Sequence, residues 1–514
     1  MTTAASAPPD TIRIGLDPLR VDDIVRIAAG ARVELLPEAE SLILASRHVV
    51  EEHLARPEPV YGLNTGLGHM RNERMPEDAL AAYQVAIVRL HEGAIGRPLP
   101  TRVVRAAMAV RLAGIARGGS GMTLVAARTL AAMLDAGVHP IVPEYGSVGA
   151  SDLMSMACIA RVMIGEGAAE YEGERLSGVE AMRRAGIPVI VLEAKEGLAS
   201  ISANGVSIGH GALVIARAAR VAAAADLVVA ATMEALGANP SIIDPAVASA
   251  KPIPGQVDAA AHLRRLLRGS AILEPGAAQS VQDPLSIRVV PQVHGALREL
   301  GRFTHEAVEG ELAAMDDNPL VVVDEGRMIS NGNFHPMLMA LAFDALRPAL
   351  AHVGQLSDRR MNQVWQRLFT TDIDMAQVME YAVQQGTGFL SRYAAASRAA
   401  DLRQMAAPAT LDIGALDLGV EDHSTAAPIT VRRTEDALEA LETILLVELL
   451  TARDGFAIVG RHEPLGAGVA AAMRVIDQAC LAGPPQATST IGADLHAMLL
   501  PLLTTTILDA ADAA

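Results

Sequence analysis

Aromatic side chains are scarce in this chain, with 6 Phe, 6 Tyr and 1 Trp among 514 residues. A core built without them rests on Ala, Val, Leu and Met, which suits close packing of helix against helix. Cysteine is nearly absent too: Cys158 and Cys480 stand far apart. Two such residues give neither a disulfide framework nor a zinc spacing, as expected of a reducing cytoplasm. No basic run exceeds Arg359-Arg360 or Arg432-Arg433, and the net charge is -17. That balance argues against nucleic acid and keeps a large assembly soluble. Residues 1–10 carry no basic segment followed by an apolar one, so they read as a flexible tail rather than a signal peptide. The apolar run Val221 to Met233 is interrupted by Asp226, flanked by Arg217 and Arg220, and too short to cross a bilayer. It reads as a buried helix, and no membrane partner is expected. His91-Glu92, His305-Glu306 and His462-Glu463 all lack the second histidine of a zinc-protease motif, and no phosphate-binding loop or nucleophile elbow occurs. No metal site is expected.

What is present is a long helical pattern, 51% hydrophobic and 20% charged, enough for a large core. A short strand is expected at Ile12 to Ile14, then helices from Val21 to Ala29 and from Pro37, where Leu42, Ala45 and Val49 share one face. Further helices are expected over Glu77 to Glu92, Thr101 to Ala116 and Thr123 to Ala136, with a hairpin near Tyr171 to Arg175. Long helices should follow over Gly209 to Leu236, Pro291 to Ala314, Pro336 to Arg359 and Arg432 to Ala452. Residues 11–203 read as an N-terminal mixed region and 204–514 as a helical bundle with C-terminal helices.

Several loops concentrate small and polar residues. Val60-Tyr61-Gly62-Leu63-Asn64-Thr65-Gly66-Leu67-Gly68 has three glycines but no phosphate-binding spacing. Gly146-Ser147-Val148-Gly149-Ala150-Ser151-Asp152 is a tight turn before a helix, with Ser151 or Asp152 as its cap. Gln282-Asp283-Pro284-Leu285-Ser286-Ile287-Arg288 places one arginine where a structural salt bridge or a carboxylate clamp are both open readings. His91 closes a helix, where a histidine usually just complements the dipole. Asn331-Gly332-Asn333-Phe334-His335 and Glu421-Asp422-His423 complete the set.

In this order the motifs resemble those of the aromatic amino acid ammonia-lyases, histidine ammonia-lyase in particular, from Tyr61 to Glu421. The resemblance implies a mainly α fold: long near-parallel helices in a central bundle, a smaller mixed N-terminal region, and a homotetramer with shared active sites. It also implies that Tyr61, Arg288 and Glu421 are catalytic. His91, Asn204, Gln282, Asn333, Phe334, Leu390 and Arg392 would bind the substrate, a histidine-like amino acid or betaine.

Three departures shape the functional reading. In the family an Ala-Ser-Gly triplet cyclises to the electrophile methylidene-imidazolone; here the triplet is Ala150-Ser151-Asp152, and a Cβ at the third position resists the compressed turn. Ser202 falls where the family keeps an asparagine, with Asn204 two residues late. Leu285 replaces a catalytic tyrosine. The expectation is a family scaffold without its cofactor, although cyclisation of the triplet stays open. A primary amine needs the electrophile to leave. A trimethylammonium group has no lone pair to attack it and departs as a neutral amine, as in the cofactor-free relative ergothionase. The expected activity is therefore amine elimination giving a urocanate-like acrylate, with Tyr61 as base, its phenolate favoured by Arg288 and loop amides. Arg392 would face a thiolate-like sulfur. The alternatives are an orthodox ammonia-lyase or aminomutase using the electrophile, and a non-catalytic binding paralogue.

Overall fold

A computed structural model describes residues 10–370, 374, 376, 378, 388–411, 413–458, 463–482 and 491–514. The protein is mainly helical, as the periodicity predicts. Its chain folds into two compact units: residues up to Ala216 with His305–Ala342 and Ala409–Arg432, and Arg217–Thr304 with Phe343–Pro408 and Arg433–Ala514. The expected boundary at residues 203/204 is therefore corrected. Sequence order misses it because two later segments fold back into the first unit.

In the first unit, Thr11–Ile14 pairs in parallel with Arg32–Leu35, joined through the helix Val21–Ala28. The helix Thr101–Ala116 is the unit's spine and is buried over nearly its whole length. Two of its buried residues are arginines, which the interior accepts only because they are partnered. Arg105 donates to the carbonyls of Ile27, Ala31 and Leu134. Arg111 forks onto Asp317 at 3.0 and 2.8 Å, which ties the returning 305–342 segment to the spine. The next helix, Leu124–Ala136, starts as expected: Thr123 Oγ1 accepts the Ala126 amide, and Gly137 in the left-handed region ends it. The hairpin Ala168–Tyr171 with Glu174–Ser177 also forms as predicted.

In the second unit small residues let helices approach closely: Ala224, Ala225, Ala230 and Ala231 are fully buried. A buried ion pair, Arg360 to Glu448 at 2.6 and 2.8 Å, joins the helices Met337–Thr370 and Ala427–Ile458. Arg360 also donates to the Ser286 carbonyl at 3.1 Å, which anchors the short helix Leu285–Arg288. Both long helices outrun their expected ends, since burial sustains them past the stretch where the sequence periodicity is clean. The stretch Met337–Arg367 is long and apolar enough to cross a membrane, yet 56% of its apolar window is buried inside the protein, as in a core helix.

Candidate active site

The Tyr61 loop is a built structure rather than a loose glycine-rich turn. Asn64 Oδ1 accepts the Val60 amide at 2.7 Å, and its Nδ2 donates to the Glu58 carbonyl at 2.9 Å. Gly62 has φ +64, and a Cβ there would lie 2.2 Å from Leu198 Cδ2. Only glycine fits. The loop then curls so that the Gly68 amide donates to the Tyr61 hydroxyl at 3.3 Å. A second phenol, Tyr83 on the helix Leu80–Leu90, receives the neighbouring Leu67 amide.

Tyr61, His91 and Glu421 come together within this unit. Burial pushes the Tyr61 hydroxyl above its ordinary pKa; the Gly68 amide opposes this, and the carboxylates of Glu421 and Asp417 add to it, with Arg71 opposing. The expected depression of the phenol is thus corrected. The loop amide acts in the anticipated direction but is outweighed by desolvation and by negative neighbours. Glu421 is also raised, first by burial and then by Asp417, while His91 pulls it down. His91 caps its helix as expected and places Nδ1 2.7 Å from the Ile87 carbonyl. That contact makes Nδ1 the protonated nitrogen in a neutral ring and leaves Nε2 as the acceptor.

The turn at residues 147–152 is closed and internally satisfied. Ser151 sits in the left-handed region at φ 60, its amide donating to the Phe334 carbonyl at 3.2 Å. The Asp152 amide donates to the Ala203 carbonyl at 2.8 Å. Asp152 begins the helix Leu153–Met163, but its side chain makes no capping bond there. Instead the carboxylate, 0% exposed, accepts from Ser147 Oγ at 2.7 Å, Ser207 Oγ at 2.8 Å and the Ser207 amide at 2.7 Å. It therefore caps a different helix, Gly205–Leu236, from a position 55 residues earlier in the chain. Burial still pushes its pKa upward against these bonds. Asn204 faces the same turn: its Nδ2 donates to the Phe334 carbonyl at 2.9 Å, and its amide donates to Asp316 Oδ2 at 2.8 Å. Its Oδ1 is buried without a partner among the described residues. Asn204, not Ser202, thus turns its side chain to the carbonyl that also receives the Ser151 amide.

The remaining candidates fare unequally. Arg288 lies half-buried at the end of its short helix, and among the described residues no side-chain hydrogen bond or ion pair engages its guanidinium. Gln282 is exposed, as are its neighbours Val281 at 97% and Leu285 at 56%. Asn333 is exposed and engages backbone, its Nδ2 donating to Met315 O at 3.3 Å. The Phe334 ring packs edge-on against His335, whose ring lies 5.0 Å from that of His423 and is tilted 35° to it. Leu390 belongs to the helix Gly388–Met405, and its side chain lies outside the described residues. Arg392 pairs with Asp358 at 3.6 Å and lies over Trp365 at 5.9 Å. Two residues were missed from sequence, Asp417 and Tyr83. Neither sits in a motif, and only the fold brings them to Tyr61.

Residues 19–478 match the family model described as aromatic amino acid lyase. The chain is 36% identical to a histidine ammonia-lyase of Caldanaerobacter subterraneus subsp. tengcongensis over 440 residues, covering 84% of this chain and 85% of that protein. Its fold matches the histidine ammonia-lyase of Trypanosoma cruzi with a TM-score of 0.87 at 26% identity, over 98% of this chain and 95% of the other. It matches the ergothionase of Treponema denticola, solved with desmethyl-ergothioneine sulfonic acid, with a TM-score of 0.88 at 24% identity. That alignment spans 97% of this chain and 99% of the other, and speaks to fold alone.

Proposed function

This chain belongs to the aromatic amino acid lyase family and is a carbon–nitrogen lyase, and from that premise we propose that it expels trimethylamine from ergothioneine or a related betaine without a methylidene-imidazolone. The observation that carries the reading is Asp152. Forming the electrophile requires the third residue's nitrogen to attack the first residue's carbonyl. Here that nitrogen is engaged with the Ala203 carbonyl at 2.8 Å. The side chain beside it is locked among Ser147 and Ser207. A buried carboxylate capping a long helix is a poor fit to the compressed ring.

The leaving group then has to depart unaided. A base takes the β-proton, the new Cα–Cβ π bond forms from that C–H pair, and the C–N pair leaves with the amine. From a betaine the products are an acrylate, neutral trimethylamine and the protonated base. Tyr61 is the proposed base. Burial, and then the negative neighbours Glu421 and Asp417, disfavour phenolate, and a permanently cationic substrate would supply positive charge when it binds. Tyr61 and Phe334 would be the aromatic contacts of the quaternary ammonium. Arg288, free of other partners among the described residues, would take the substrate carboxylate. His91 and Glu421 would orient the ring. The homotetramer that family membership suggests would cover the exposed Val281 and Leu285.

Intact mass is the direct test. An unmodified mass, with ergothioneine turned over to a conjugated acrylate and histidine left untouched, is the expected result. Loss of two waters, with histidine deaminated, would overturn it in favour of an orthodox histidine ammonia-lyase.

A further inference from the structure

Residues 416–421 form a loop that hydrophobic burial does not hold. Leu416 is 43% exposed and Leu418 87%. A two-residue bridge closes its base, the Leu416 amide donating to Glu421 O at 2.8 Å and the Glu421 amide to Leu416 O at 3.3 Å. Inside it Asp417 and Leu418 both occupy the left-handed region, at φ 44 and 55. Two successive non-glycine residues in that conformation persist only where other contacts impose it. The contacts that do so come from the Tyr61 loop. Asp417 accepts the His69 amide at 3.0 Å on one oxygen and faces His69 Nδ1 at 2.7 Å with the other. Its carboxylate lies so close to the loop that a Cβ on Gly68 would fall 1.8 Å from Oδ2. The amide of that same Gly68 is the group that donates to the Tyr61 hydroxyl.

We propose that Asp417 is a positioning residue for Tyr61: with His69 it latches the Tyr61 loop to the loop that ends in Glu421. The idea rests on the reading of Tyr61 as the base. One carboxylate fixes both sides of the site, the Gly68 amide that orients the phenol and the backbone that delivers Glu421. The groups facing Tyr61 are Glu421, Asp417, Arg71, the Gly68 amide and the neighbouring Tyr83. The latch adds a negative charge to them as well as geometry. Because the 416–421 loop adds little to the core, its release should cost the fold little and the chemistry much.

The test compares Asp417→Asn, His69→Gln and Tyr61→Phe with the native protein, using ergothioneine and histidine as substrates. Asp417→Asn should lower kcat by roughly 10- to 100-fold, the scale of a small misplacement of a reacting group, with KM and the thermal midpoint nearly unchanged. The rising limb of its pH–rate profile should move to lower pH, because a negative charge near the phenol is gone. His69→Gln keeps the backbone contact and should lose less. Hydrogen exchange of the Gly68 amide should quicken in Asp417→Asn whatever the substrate. Native exchange at Gly68 in that variant would overturn the latch without reference to any turnover, as would a native kcat and pH profile beside an inactive Tyr61→Phe. A fully active Tyr61→Phe would overturn the base reading instead, and the latch with it.

Discussion

Two carboxylates near the candidate site, Asp152 and Glu421, are both pushed toward their neutral forms by burial, yet they are built for opposite ends. Asp152 is fully buried and accepts three hydrogen bonds from two serines. It has nothing left to offer a ligand. Glu421 is half-buried, and among the described residues no hydrogen bond reaches its carboxylate; it meets only the fields of Asp417 and His91. A raised pKa therefore does not identify a working group. What separates the two is whether the lone pairs are already used.

That contrast can be broken most decisively at the phenol beside Glu421. Tyr61→Phe should reduce turnover about 1,000-fold if the hydroxyl is the general base, measured as acrylate formation. Asp152→Ala should leave the protein folded but about 2–3 kcal/mol less stable, the scale of a lost charge-assisted set of bonds with a buried amide abandoned, read as a lower denaturation midpoint. Glu421→Gln should do the reverse, lowering kcat/KM by roughly 10- to 100-fold through a lost charge-assisted contact with the midpoint unchanged. If Asp152→Ala abolished turnover at native stability, or Glu421→Gln unfolded the protein, the division between the two would collapse.

Proton linkage sharpens the same comparison. Behind the turn Asp316 is raised to about 6 and Glu311 to about 7, by burial first and then by a neighbouring carboxylate. A carboxyl whose folded pKa exceeds its unfolded one holds its proton more tightly when folded. Its contribution is fully present below about 4, the unfolded range, and is lost as pH rises through 6 to 7. Thermal midpoints measured across that window should fall with pH, and Asp316→Asn with Glu311→Gln should flatten the slope. The smallest effect is expected at Arg392→Ala, about 1 kcal/mol or less, because its ion pair with Asp358 at 3.6 Å is partly exposed; a large loss of turnover there would restore it as a substrate contact.

Much of this protein was legible in its sequence because the signals are local. Helical periodicity and the glycines of the Tyr61 loop each act within a few residues, and the predicted helices appear where expected. The motif order from Tyr61 to Glu421 carried the family, which the comparisons bear out. Helix lengths were underread, since burial extends helices beyond the reach of propensity. Tertiary structure alone decided that Asp152 caps a helix 55 positions away, that Asn204 and Ser151 share the Phe334 carbonyl, and that Arg392 has Asp358 as its partner. It alone brought Asp417 to Gly68 and turned the expected cationic surroundings of Tyr61 into anionic ones. Those outcomes depend on distances in space between residues from tens to hundreds of positions apart, and electrostatics and hydrogen bonding are set by such distances rather than by order along the chain.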